Sequence, residues 1–105
     1  MDSAKEEIGL GLLGLGVVGR GVAQQLLHPK SYPSQSSLKL RRILVKDPHK
    51  SRPLTLPDNI LTTEFNDLLN EQGIHVLIEA LGGEHPAYEY IQRALQAGKH
   101  VVTAN

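Results

Sequence analysis

The chain has 105 residues, 11 Lys and Arg balanced by 11 Asp and Glu, 40% apolar residues and no Cys. That length holds one domain with a modest core, and the composition excludes disulfides, thiolate metal sites and a low-complexity chain. Neutral charge with few aromatics argues against nucleic acid as a partner; no apolar run is long enough for a membrane, and Met1 to Glu7 is unlike a signal peptide, so a cytoplasmic chain is expected.

Ile8 to Leu13 is apolar or glycine throughout, the pattern of a central parallel strand covered on both faces. Gly14-Leu15-Gly16-Val17-Val18-Gly19 follows at once as a G-x-G-x-x-G. The stretch from Gly9 to Gly14 fits the same template, but its strand would be Ala4-Lys5-Glu6-Glu7-Ile8, too charged for a buried parallel sheet. The later register is the consistent one. Val18, Val22 and Leu26, with Ala23 and Leu27 beside them, then make one apolar face of a first helix. His28 to Ser37 is rich in turn formers and ends it.

Leu38 to Val45 reads as a second strand, with Ile43-Leu44-Val45 its buried end. After an irregular stretch holding Pro48, Pro53 and Pro57, Leu61-Thr62-Thr63 reads as a short edge strand. Asn66 or Asp67 is expected to cap a brief helix through Leu68 and Leu69 that stops at Gly73, and Val76-Leu77-Ile78 is a fourth, central strand. Glu84 and Pro86 open a last helix, Gly98 suits its C-cap, and Ala87, Ile91, Ala94 and Leu95 form its apolar face. His100 to Thr103 is a fifth strand. Strands separated by helices predict an α/β fold: a Rossmann-type doubly wound parallel sheet of about five strands in order 3-2-1-4-5. Its ligand crevice lies beside strand one, where the order reverses.

In that context the glycine turn predicts a dinucleotide site. Gly14 permits a tight exit from the strand, Gly16 lets backbone approach a pyrophosphate, and Gly19 lets helix pack on strand. The helix start offers unpaired N–H groups and a partial positive charge to the phosphates. The plain alternative is a strand–helix corner that binds nothing. Five His are scattered without metal-ligand spacing, and no metal is expected.

The charge is unevenly spread. Lys39, Arg41, Arg42, Lys46, Lys50 and Arg52 crowd one window opposed there only by Asp47, whereas no Lys or Arg lies between Arg52 and Arg93. A basic window after the second strand suits a single phosphate group. An acid at the tip of that strand would bind the ribose 2′-hydroxyl of NAD, and a basic residue the 2′-phosphate of NADP. The tip here is Lys46-Asp47, which leaves both open and tips the expectation towards NADP. A solvated strand end is the plain reading of Lys46.

Three segments, IGLGLLGLGVVGRG from Ile8 to Gly21, ILVKD from Ile43 to Asp47, and IEALGGEHPA from Ile78 to Ala87 leading into ALQAGKHVVTAN from Ala94 to Asn105, resemble the N-terminal domain of homoserine dehydrogenase. Many dehydrogenases share the first. Gly82-Gly83-x-x-Pro86-Ala87 together with Gly98 to Asn105 is far more specific. The resemblance implies the nucleotide-binding domain of an NAD(P)-dependent oxidoreductase interconverting L-homoserine and L-aspartate 4-semialdehyde, towards threonine and methionine. It carries over Gly14, Leu15, Gly16, Val17, Val18 and Gly19 as the pyrophosphate turn and Lys46 as the residue near the adenosine ribose. Gly82, Gly83, Thr103 and Asn105 are placed towards the nicotinamide. Val17 stands where the family often has Thr, which removes a hydroxyl contact to phosphate, and Lys46 where Arg is frequent, which weakens a stacked or bidentate grip on adenine and phosphate.

Plainer readings exist for Gly82 and Gly83 as a loop and helix start, for Thr103 as a β-branched strand residue, and for Glu79 as a hydrogen-bonded structural carboxylate. The family continues past Thr-Ala-Asn into a Lys and then a catalytic domain, so residues 1–105 are expected to be one cofactor-binding domain, inactive alone, with no catalytic residue of its own. Substrate would be met only by the longer enzyme, implied to be a homo-oligomer. A free-standing NAD(P)-binding regulatory or sensor module is the alternative from a different class.

Overall fold

A computed structural model describes residues 7–28 and 37–104. The sheet has strands β1 (Ile8–Leu13), β2 (Leu38–Leu44), β3 (Leu61–Thr62), β4 (Val76–Glu79) and β5 (His100–Thr103). Helices α1 (Val17–Leu27), α2 (Phe65–Leu69) and α3 (Ala87–Gln96) connect them. All pairings are parallel and the order is β3-β2-β1-β4-β5. The order reverses at β1, as predicted.

The apolar run of β1 is explained by what lies on each side of it. Leu10 and Leu12 pack with Leu40, Ile43 and Ala23 beneath α1. Leu13 faces the other way and packs with Leu44, Leu68, Leu77 and Ala94 beneath α2 and α3. Alternate side chains of one strand therefore enter two different cores. Gly9 and Gly11 complete the strand without entering a ligand turn: a Cβ at Gly9 would collide with the Gly73 carbonyl oxygen, and one at Gly11 would come within 2.6 Å of Leu77. That explains the glycines of the earlier motif match by packing alone. Between β1 and β2 the register slips, Leu10 facing Leu40 and Gly11 facing Arg42, so Arg41 is the extra residue of a bulge. Its guanidinium turns to Glu71, 3.2 Å away.

Several local expectations are corrected. Val18 is 52% exposed, because the face of α1 that meets the sheet is Gly19 and Ala23, with Val22, Leu26 and Leu27 half-buried at its flanks. Leu95 is 57% exposed, and Tyr90 takes the inward place instead, its ring stacked 4.2 Å from that of Phe65 on α2. Neither Asn66 nor Asp67 caps α2, whose N-cap is Glu64. Asp67 lies in the first turn and accepts the Thr62 hydroxyl at 2.5 Å, tying the helix back to β3. Gly98 falls one residue beyond the C-cap, Ala97, at φ +83°. There Gly98 and Lys99 donate N–H groups to Leu95 and Ala94, the paired bonds of a Schellman ending.

Lys99 explains part of the sequence that follows that ending. Its Nζ reaches back to the carbonyl oxygens of Glu71 at 2.9 Å and Ile74 at 2.5 Å, fastening the approach to β4 against the approach to β5. Burial holds this ammonium below the ordinary lysine range, against the opposing pull of Glu71. The unfolded chain therefore keeps the Lys99 proton to higher pH than the folded one. Stability attributable to Lys99 rises with pH between the lowered folded value and the ordinary one. Lys99→Met is expected to lower stability by about 1–2 kcal/mol at neutral pH, through loss of both donors. In urea melts the gap from the parent should widen as pH rises through that window. An unchanged midpoint would mean that water replaces the ammonium at both carbonyls.

Candidate functional site

The ladder of the sheet ends at the joint between β1 and α1. Gly14 N–H donates to the Leu44 carbonyl and Ala80 N–H to the Leu13 carbonyl, so the ends of β2, β1 and β4 are level there. Gly14 turns the chain at φ +98°, a conformation that disfavours any side chain, and a Cβ would lie 2.8 Å from the Ala80 carbonyl oxygen. Gly19, one helical turn on, leaves no room for a Cβ against the Gly14 carbonyl. These two glycines are required by the chain itself.

Gly16 is different. Its φ of −81° is ordinary, and a Cβ there would meet nothing within 4 Å. Neither backbone conformation nor packing therefore calls for glycine at this position. Gly16 is also the N-cap of α1, which carries no side-chain cap and no acid in its first turn. No side chain of the N-cap therefore satisfies the first N–H groups of this 11-residue helix.

Beside this turn lies a cleft of about 420 Å³. Of the sequence-predicted residues, Gly14, Leu15, Gly16, Lys46 and Gly82 line it. Val17, Val18 and Gly19 do not, being past the turn on α1. Gly83 and Thr103 line an adjoining cleft of about 440 Å³ next to α3 and the end of β5. Asn105 lies outside the described residues, as do residues 1–6 and 29–36, on which most of the expected turn-former stretch from His28 to Ser37 falls. Lys50 and Arg52 join Lys46 in the first cleft, but Asp47 is not among its lining residues. Asp47 instead accepts the His49 N–H on Oδ1 at 2.9 Å, and Arg52 donates to the carbonyls of Asp47 and Lys50 at 2.8 and 3.0 Å. Arg52 is thereby a buckle for the turn as well as a charge in the cleft.

The opposite wall is the connection from β4 to α3, and a buried carboxylate holds it. Glu79, 1% exposed, accepts the Leu81 N–H on Oε2 at 2.9 Å and the Thr103 hydroxyl on Oε1 at 2.6 Å. Both oxygens are engaged, which makes it the structural carboxylate of the plainer sequence reading. Gly82 and Gly83 follow at φ +76° and +77°. His85 and Tyr90 complete the wall, and sequence reasoning missed both. The spacing of Pro86 and Tyr90, four residues apart, was a usable signal, since it places them on one helix face. Among the described residues no three His, Asp or Glu side chains gather as a metal site, and no helix is long and apolar enough to cross a membrane.

With that geometry in view, comparison with known proteins is direct. The family model for the NAD-binding domain of homoserine dehydrogenase matches residues 14–105. The chain belongs to that family. It is 40% identical to the homoserine dehydrogenase of Bacillus subtilis over 105 aligned residues, covering 93% of this chain and 23% of the relative. Identity to the Synechocystis enzyme is 35%, over 91% of this chain and 22% of the relative. A crystal structure of Staphylococcus aureus homoserine dehydrogenase superposes with a TM-score of 0.82 at 33% identity, over 95% of this chain and 26% of that one. The chain thus spans about a quarter of the length of these relatives, over their NAD-binding fold.

The glycine geometry separates folding from ligand contact. Gly19→Ala is expected to destabilise the domain by about 1–3 kcal/mol through overpacking at the joint. Gly16→Ala should change stability by less than about 1 kcal/mol, since the added methyl meets open space. Thermal melts of the two variants check this, and comparable losses at both positions would sink the distinction.

Proposed function

We propose that this domain binds NADP(H) in preference to NAD(H), across the C-terminal ends of β1, β2 and β4. It would serve an enzyme that interconverts L-homoserine and L-aspartate 4-semialdehyde. The observation that supports binding most directly is the open space at Gly16, a glycine that meets no protein atom, on the edge of a cleft of about 420 Å³. The pyrophosphate would lie on the turn from Gly14 to Gly19, held by backbone N–H groups at the start of α1. Gly82 would approach from the facing wall. Gly83, Thr103 and, outside the described residues, Asn105 would lie towards the nicotinamide.

Preference for the 2′-phosphate is supported by charge. Lys46, Lys50 and Arg52 line one cleft, while the Asp47 carboxylate is engaged with the His49 N–H. Lys46 would meet the phosphate as a single flexible charge rather than as a planar fork. The bound nicotinamide supplies or accepts the hydride. The chain's own residues bind and orient it, and none is assigned to proton transfer; Glu79 has both oxygens occupied by its own fold. Residues 1–105 would act as one cofactor-binding domain, with the catalytic and substrate-binding groups supplied from outside it.

Calorimetric titration of the chain with NADPH and with NADH tests this. Both are expected to saturate, NADPH more tightly by about tenfold, equivalent to about 1.4 kcal/mol. Lys46→Ala should weaken NADPH by about fivefold and leave NADH within about twofold. Gly16→Asp should abolish both through steric and charge conflict. Tighter NADH would assign the ribose to Asp47. Steady turnover of aspartate semialdehyde by this chain alone would overturn the placing of catalysis outside it.

A further inference from the structure

Resting on the dinucleotide reading above, we propose that His85 is a proton-gated contact for the anionic pyrophosphate, so that dinucleotide affinity rises as pH falls. His85 lines the cleft together with Gly14, Leu15 and Gly16, and lines the adjoining cleft with Gly83 and Thr103. It therefore stands on the ridge between the two spaces that a dinucleotide would occupy in turn.

Its chemistry follows from one contact. Nδ1 lies 2.9 and 2.8 Å from the two carboxylate oxygens of Glu89, one helical turn further on. A carboxylate only accepts, so Nδ1 holds the proton and the ring's other nitrogen, Nε2, remains for a ligand. In the neutral ring Nε2 is an acceptor and presents a lone pair to any phosphate oxygen. In the protonated ring it is a charged donor. The contact changes from repulsive to attractive with a single proton.

The surroundings identify which group responds. Glu84 adjoins His85 on the same connection, Glu79 at the end of β4 lines the same cleft, and Tyr88 and Glu89 face it from α3. Lys46, Lys50 and Arg52 share its cleft from the β2 side. The hydrogen bond from His85 and the Glu89 backbone N–H hold the Glu89 carboxyl below its usual range, against the small opposing effect of burial. Among these side-chain types, only imidazole titrates between about pH 6.0 and about pH 8.5.

The test measures NADH and NADPH affinity across that pH range for the chain and for His85→Gln, which keeps polarity but cannot titrate. NADH is the deciding probe because it lacks the 2′-phosphate, which titrates near the same pH as a phosphomonoester. For the unaltered chain, NADH affinity is expected to fall by about three- to tenfold from low to high pH, as for loss of one charge-assisted contact. In His85→Gln it should vary by less than about twofold, with any remaining slope for NADPH belonging to the phosphate. A slope for NADH unchanged by His85→Gln overturns the proposal while leaving the binding site intact. An equal loss of affinity at every pH also overturns it, since that is what a merely structural role produces. No saturation by either ligand at any pH, in a chain that still melts cooperatively, removes the dinucleotide reading and this contact with it.

Discussion

The structure depends on one close contact, that of Gly19 on the carbonyl of Gly14. It brings the first turn of α1 onto the end of β1 with no side chain between them. The helix must then start just beyond the strand, its free N–H groups aimed over the edge of the sheet. A side chain at either position would push the helix outward and move those groups off the cleft. The same contact places Ala23, one turn further, in the core with Leu10, Leu12 and Ile43. Packing and cleft geometry are thus set together: a joint with no room for a side chain also fixes where the start of α1 meets the cleft.

The two walls of the cleft are secured in different ways. The β2 side is a loop buckled by Arg52 through two backbone carbonyls, with charge left over for a ligand. The β4 side is fastened by Glu79, whose buried carboxylate joins the end of β4 to the next residues of the connection and to β5. A buried carboxylate is expensive to desolvate unless its oxygens are met by donors, and here both are. That anchor allows two glycines with positive φ to follow at once without leaving the wall slack. The wall that would face the nicotinamide half is therefore built from backbone conformation and one buried acid, and the wall that would face the adenosine end carries the cations Lys46, Lys50 and Arg52.

Much of this was legible in the sequence because parallel strands covered on both faces must be apolar throughout. The residues from Ile8 to Leu13 and the end of β2 satisfy that, and turn formers separate them from the helices. What was not legible lay at helix faces and caps. Val18 follows the periodicity of α1, but the tight joint rolls Gly19 and Ala23 inward and leaves Val18 in solvent. Leu95 fits an apolar stripe, yet α3 is oriented by Tyr90 stacking on Phe65, a contact between segments 25 residues apart that no local pattern reports. Asp67 looked like a cap because acids favour helix starts, but the nearby Thr62 hydroxyl holds it to β3. His85 escaped notice for the related reason that a lone histidine in a loop has no signal until the opposite wall is known.

The glycines show which kind of residue reports on function. Gly9, Gly11, Gly14 and Gly19 all meet protein atoms where a Cβ would be, so the fold alone accounts for them. Gly82 and Gly83 are accounted for by backbone conformation. Gly16 has neither reason, and at an N-cap Ser, Asp or Asn would serve the isolated domain better by satisfying an orphan N–H. Gly21, exposed within α1, likewise has neither reason, so it is the position of Gly16 on the cleft, and not its being glycine alone, that supports the proposed ligand contact. Lys46, exposed just past the end of β2, lines the same cleft as Gly16. Gly16 is therefore a sharper test of the proposed site than the rest of the glycine motif, where Gly14 and Gly19 are demanded by the fold itself.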